Sequence, residues 1–176
     1  MDEMPGCHGP RVRLGMTALF MDKRAVVSLI IDHLLAELET VAGAEREARE
    51  AATHEDTRAE DKYDTRATES SYLADGQARL AAELREAIEQ YRVLSVREFQ
   101  EGEPIALTAL VELRQQSFRD LYFIGPRNGG IVVRQDGVEV MVITPQSPLG
   151  RALLGRRSGE QVRLENGREA TILSVR

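Results

Sequence analysis

The chain has no tryptophan and a single cysteine, Cys7, so no internal disulfide can form. No proline occurs between Pro10 and Pro104, which leaves about half the chain free of the residue that most strongly breaks helices. No apolar run nears the roughly 18 residues that span a bilayer. The longest candidate, Ala25 to Leu38, is interrupted by Asp32, His33 and Glu37. No segment joins a basic start, an apolar centre and a cleavage site. These absences point to a cytoplasmic protein. No phosphate-binding glycine loop and no Cys-x-x-Cys pair is present. The three histidines, His8, His33 and His54, are too scattered for a catalytic set, so the chain reads as not an enzyme by itself.

What is present is charge, unevenly distributed. Residues 16–94 hold 17 acids and 10 bases, and residues 95–176 hold 10 acids and 11 bases. The acidic half disfavours direct nucleic-acid binding, because phosphate contacts need Lys and Arg. The first fifteen residues, MDEMPGCHGPRVRLG, are rich in glycine and proline. Residues 1–20 therefore read as a disordered leader, residues 21–95 as a helical hairpin, and residues 99–176 as a separate sheet domain.

The hairpin is read from periodicity. Val26, Ile30, Leu34, Leu38 and Val41 recur at helical spacing, widened by Val27, Ile31 and Leu35, with Asp22 as a cap. Beyond Val41 the apolar face thins to alanines. A second helix runs from about Glu60 to Arg92, with Tyr72 or Leu73, Gln77, Leu80, Leu84, Ile88 and Tyr91 along one face. Two such arms, paired antiparallel as a coiled coil, turn within 53–62. Each would be roughly 40 Å long. The stretch Thr53 to Asp64, THEDTRAEDKYD, lies there and carries five acids. It is either a solvated turn or a protruding carboxylate cluster able to take a hard divalent cation.

The second half reads as strands over Ile105–Leu113, Asp120–Gly125, Gly130–Arg134, Val138–Thr144, Gln161–Glu165 and Glu169–Val175. Asp136-Gly137 and Asn166-Gly167 are hairpin turn signals. Ser147 and Pro148 open a short helix that Gly155 closes. The fold class is thus α+β: a helical hairpin, then an antiparallel sheet with one short helix. Arg151, Arg156 and Arg157 give the helix end a basic patch, which is either favourable charge near a helix C-terminus or, with the apolar helix around Leu153, a docking surface for an acidic partner.

Two stretches resemble a known family, the Gre-type bacterial transcription elongation factors. VITPQSPLGRALLGRRSGEQVRLENGREATILSV is similar to that family's strand, Ser-Pro, Arg-Ala-Leu-Leu-Gly helix, Gly-Glu turn and final hairpin. EDTRAEDKYDTRA is similar to its hairpin tip. The resemblance covers most of 21–176 and implies an FKBP-like C-terminal domain that binds RNA polymerase. It also implies a tip that enters the polymerase secondary channel and helps hold a Mg²⁺ ion shared with the polymerase, so that the polymerase cleaves a backtracked transcript. On this resemblance the tip residues are Asp56 first, then Glu55, Glu60 and Asp61. Aligned from Tyr63, Asp56 meets the family's tip Asp, but Ala59 occupies its Glu position and Glu60 its Asn position. A carboxylate one residue out of phase is rotated about 100° on a helix. The alternatives are a channel binder that inhibits or modulates the polymerase without cleavage, and a hairpin adaptor outside transcription. A prolyl isomerase would need an aromatic-lined pocket, for which the second half offers only Phe99, Phe118, Tyr122 and Phe123.

Overall fold

The computed structural model describes residues 21–56, 65–116, 118–165 and 167–176. The chain divides into two compact units. One is Ile31–Val93, and the other joins the residues up to Ile30 with Leu94–Arg176.

Helix α1, Lys23–Asp56, runs for 34 residues, and α2, Thr65–Arg92, for 28. At the start of α1 the Asp22 carboxylate accepts a hydrogen bond from the Arg24 N–H at 2.9 Å, and the Asp22 carbonyl closes the first turn with Val26 at 3.0 Å. Asp22 therefore caps the helix and answers one of the amides that have no partner at a helix start. At 1.5 Å per residue the two helices are about 50 and 40 Å long. Eight residues of chain join them, reaching at most about 28 Å. Within one compact unit, so short a connection makes the pair antiparallel.

The apolar face of α1 is the one the periodicity predicts: Leu34 and Val41 are buried, and Ile31, Leu35 and Leu38 are half-buried. The face of α2 is as predicted toward its C-terminus, where Leu84, Ile88 and Tyr91 are buried, but not toward its N-terminus. Its buried residues are Ala74, Ala81, Leu84, Ala87, Ile88 and Tyr91, whereas Tyr72, Leu73 and Leu80 are 73%, 56% and 39% exposed. The buried face runs through alanines, which allow close backbone approach, and this turns the larger side chains outward. His33 is on the exposed side of α1.

The other unit is built on a six-stranded sheet. Its strands are β1 Leu110–Gln115, β2 Phe118–Ile124, β3 Val132–Gln135, β4 Val138–Ile143, β5 Gln161–Arg163 and β6 Glu169–Val175, in the order β3-β4-β2-β1-β6-β5. The sheet is mixed rather than antiparallel, because β4 pairs parallel with β2, Leu121 opposite Val140 and Ile124 opposite Ile143. The cause is the placement of the β3–β4 hairpin. Its second strand inserts beside β2 and leaves β3 at the edge. Asp136 (φ +51°) and Gly137 (φ +80°) form that hairpin's turn, the left-handed pair that a two-residue hairpin requires.

One face of the sheet packs Val111, Leu113, Tyr122, Ile124, Val162, Ala170 and Ile172 around Leu153 of the short helix α3, Pro148–Leu153. On the opposite face Leu110, Leu121, Phe123, Val140 and Val142 are almost wholly buried, and the same unit contains the buried Val26 and Ile30 of α1. The first strand begins later than the sequence indicates. Ile105 to Ala109 form a turn with Thr108 at φ +70°, and Ile105 is tied to the end of α3 by bonds to the Arg156 carbonyl (2.7 Å) and from the Gly155 N–H (2.9 Å).

Candidate functional site

Two regions carry the residues singled out in the sequence. The first is the connection between α1 and α2. Glu55 and Asp56 occupy the last turn of α1; their side chains, and Glu60 and Asp61 entirely, lie outside the described residues. The described helices fix one point: the connection that contains Glu60 and Asp61 begins after Asp56 and ends before Thr65. Among the described residues no group of three or more His, Cys, Asp or Glu side chains is placed to hold a metal ion.

The second region is the α3 turn. The Ser147 hydroxyl accepts a hydrogen bond from the Gly150 N–H at 3.0 Å and donates to the Thr144 carbonyl at 2.8 Å. One side chain thus caps the helix and closes the turn before it. Pro148 takes the first helical position, where a missing N–H costs nothing. Gly150 is where the helix meets that turn: a Cβ there would lie 1.9 Å from the Thr144 oxygen. After Leu154, Gly155 adopts φ +78° and ends the helix.

Leu153, expected to belong to the docking surface, is completely buried in the core. Its spacing from Leu149 and Leu154 is that of a residue anchoring α3 to the sheet, so its side chain is not available to a partner. The three arginines are exposed. Arg151 donates to the Gln146 carbonyl at 2.6 Å. Arg156 pairs with one Glu160 oxygen at 3.1 Å, and the other accepts the Arg157 N–H at 3.1 Å. The Arg157 guanidinium donates to the Gly102 carbonyl. Such surface contacts contribute only about 0–1 kcal/mol each, and each of the three guanidinium groups has one. A guanidinium suits bidentate recognition of carboxylates. Glu160, which pairs with Arg156 and accepts the Arg157 N–H, was not singled out from sequence; its spacing four residues after Arg156 was the available signal.

The four aromatics of the second half do not converge on a pocket. Tyr122 and Phe123 alternate to opposite faces of β2, both buried, whereas Phe118 is 44% exposed at the start of that strand. Phe99 packs at the edge of the core.

No protein-family model matches the chain, and no curated protein matches it. Solved structures do. The chain is similar to Gre-type factors. It matches the GreA factor homolog Gfh1 of Thermus thermophilus at 22% identity, over 83% of this chain and 94% of that one, with a TM-score of 0.35. Thermus aquaticus Gfh1 matches at 24% identity, over 82% and 92%, with a TM-score of 0.34. The elongation factor GreA/GreB from Nitrosomonas europaea matches at 23% identity, over 57% and 78%, with a TM-score of 0.31. No helix among the described residues is long and apolar enough to cross a membrane.

Proposed function

We propose that this chain is a Gre-like regulator that binds bacterial RNA polymerase and acts through the acidic connection of its helix pair, entering the secondary channel. The observation that carries the reading is the placement of the acid-rich segment. Two helices of 34 and 28 residues flank it, the first ending at Asp56 and the second beginning at Thr65, which supports a reading in which they carry these acids on a stiff arm. The run Ser147 to Gly155, through which the sequence resembles that family, is consistent with it: each element of the motif has a structural task in seating α3.

Asp56, Glu55, Glu60 and Asp61 are the residues that would offer carboxylate oxygens to a Mg²⁺ ion held jointly with the polymerase. Oxygen donors suit that hard cation, which keeps several of its waters. The ion would supply charge stabilisation at a phosphoryl centre. The chain's own part is to carry carboxylates on a rigid support. It is not an enzyme alone in this reading.

The displaced phase of Glu60 favours a specific second form of the same reading, in which the protein occupies the channel and inhibits or modulates the polymerase without promoting cleavage. A transcript-cleavage assay on a backtracked polymerase complex separates the two. Faster cleavage with the protein present supports stimulation, and slower cleavage supports inhibition. Failure of the protein to bind purified polymerase defeats both and leaves the adaptor alternative.

A further inference from the structure

The least expected polar group in the sheet-bearing unit is Lys23. It stands in the first turn of α1, yet only 4% of it is exposed. Buried lysines are rare unless paired. Burial pushes its pKa down from the ordinary lysine value, and the Glu98 carboxylate pulls it back up. The surroundings explain how the ammonium is tolerated. It donates a hydrogen bond to the Arg97 carbonyl, stands 3.6 Å from the Glu98 carboxylate and lies 5.1 Å from the centre of the Phe99 ring. Three consecutive residues of the segment that follows α2 thus converge on one side chain, one through backbone, one through charge and one through a ring face.

The same segment is held from its other side. The Arg97 guanidinium also lies over Phe99, at 4.0 Å, and reaches Glu103 at 3.6 Å. The Arg97 N–H points to the Thr108 hydroxyl at 3.4 Å. Thr108 is itself buried in the left-handed conformation, which a β-branched residue rarely adopts. Glu103 accepts the Gln100 N–H at 3.2 Å and so closes the turn after Phe99. No regular secondary structure spans residues 94–109. Without these contacts the stretch would be an ordinary exposed linker.

We propose that Lys23 is the pin of a clamp that fastens the linker Leu94–Phe99 to the beginning of α1. The chain enters the helical unit near Ile31 and leaves it near Val93, so this clamp ties both passages together on the sheet-bearing side. Lys23 and Phe99 act as positioning residues that join the first turn of α1 to the segment following α2. The clamp needs a cation long enough to reach a carbonyl, a carboxylate and a ring at once. A lysine on the first turn of α1 meets all three requirements.

The test is local and needs no polymerase, so its failure is separable from failure of the proposed function. In the full-length chain, Lys23→Met keeps most of the aliphatic stem and removes the ammonium. Hydrogen exchange of the 94–99 amides and trypsin cleavage after Arg97 should both accelerate about tenfold, the scale expected for losing a desolvated cation–π contact and a charge-assisted hydrogen bond. Exchange in β6, Glu169–Val175, should not change. Rates within about twofold of the parent in a folded Lys23→Met protein would overturn the clamp. If that variant does not fold, Phe99→Leu decides by the same two readouts, since it removes the ring and leaves α1 intact.

Discussion

A methyl group on residue 150 would lie 1.9 Å from the Thr144 carbonyl oxygen and 2.9 Å from its carbon, both backbone atoms with nowhere to move cheaply. Gly150→Ala should therefore cost about 2–3 kcal/mol in denaturant unfolding, although alanine is the better helix former. A Gly43→Ala control has open space around it and should gain up to about 1 kcal/mol. Nothing local distinguishes the two glycines in sequence, because the constraint on Gly150 comes from a turn that touches it only after folding. The Ser147 cap, Pro148 and Gly155 were legible because each answers a short-range need. A second residue-scale expectation concerns alkali. Burial, with the Asp120 charge adding to it, raises the Tyr122 phenol above its ordinary value of 10.0. The unfolded chain thus loses that proton first, and stability falls as pH rises beyond 10. Lys23 acts oppositely: its lowered value makes the cost of burying the ammonium fade as pH climbs toward 10.5. Tyr122→Phe should flatten the decline in unfolding free energy above pH 10, measured by urea titration at stepped pH.

At the scale of elements, periodicity located both helices and the buried Leu84, Ile88 and Tyr91, but gave the wrong face toward the N-terminus of α2. A hydropathy stripe weights leucine and tyrosine above alanine, so it selects Leu73 and Leu80. A close helix pair instead selects small residues, and Ala74 and Ala81 are buried in their place. Ala81→Leu should cost about 1–3 kcal/mol by overpacking, whereas Leu80→Ala should cost less than about 1 kcal/mol. Circular dichroism at 222 nm through urea unfolding would compare them, and the reverse ranking would restore the leucine face. The sheet shows a related limit. Turn residues signalled the β3–β4 and β5–β6 hairpins, through Asp136-Gly137 and Asn166-Gly167, but not the β1–β2 hairpin. Which strand an arriving hairpin sets beside β2 is a long-range matter, and the parallel β2–β4 pairing has no local signature. The late start of β1 has a similar origin. Ile105 and Ala106 look like strand residues, but their neighbourhood bonds to the end of α3 instead.

On the scale of the whole chain, the charges divide with the structure: the helical half is acidic and the sheet half nearly neutral, with an arginine rim at the end of α3. Under the proposed function this division implies separable tasks, with the rim governing residence on the polymerase and the acids governing its effect there. Replacing Arg151, Arg156 and Arg157 together by alanine should weaken binding to purified RNA polymerase at least about tenfold. Because the lost attraction is between exposed charges, the parent's affinity should fall with added salt more steeply than the variant's. Changing Asp56 and Glu60 to alanine should leave that affinity within about threefold and abolish the effect on stalled complexes. The arginine variant should still act once its concentration is raised, since mass action can replace lost affinity but not a missing carboxylate. Binding titrations alongside single-turnover transcript assays would show whether the two sets of residues separate in this way. If the tip variant lost affinity and effect in proportion, the acids would be docking groups, and the division of labour would have to be abandoned.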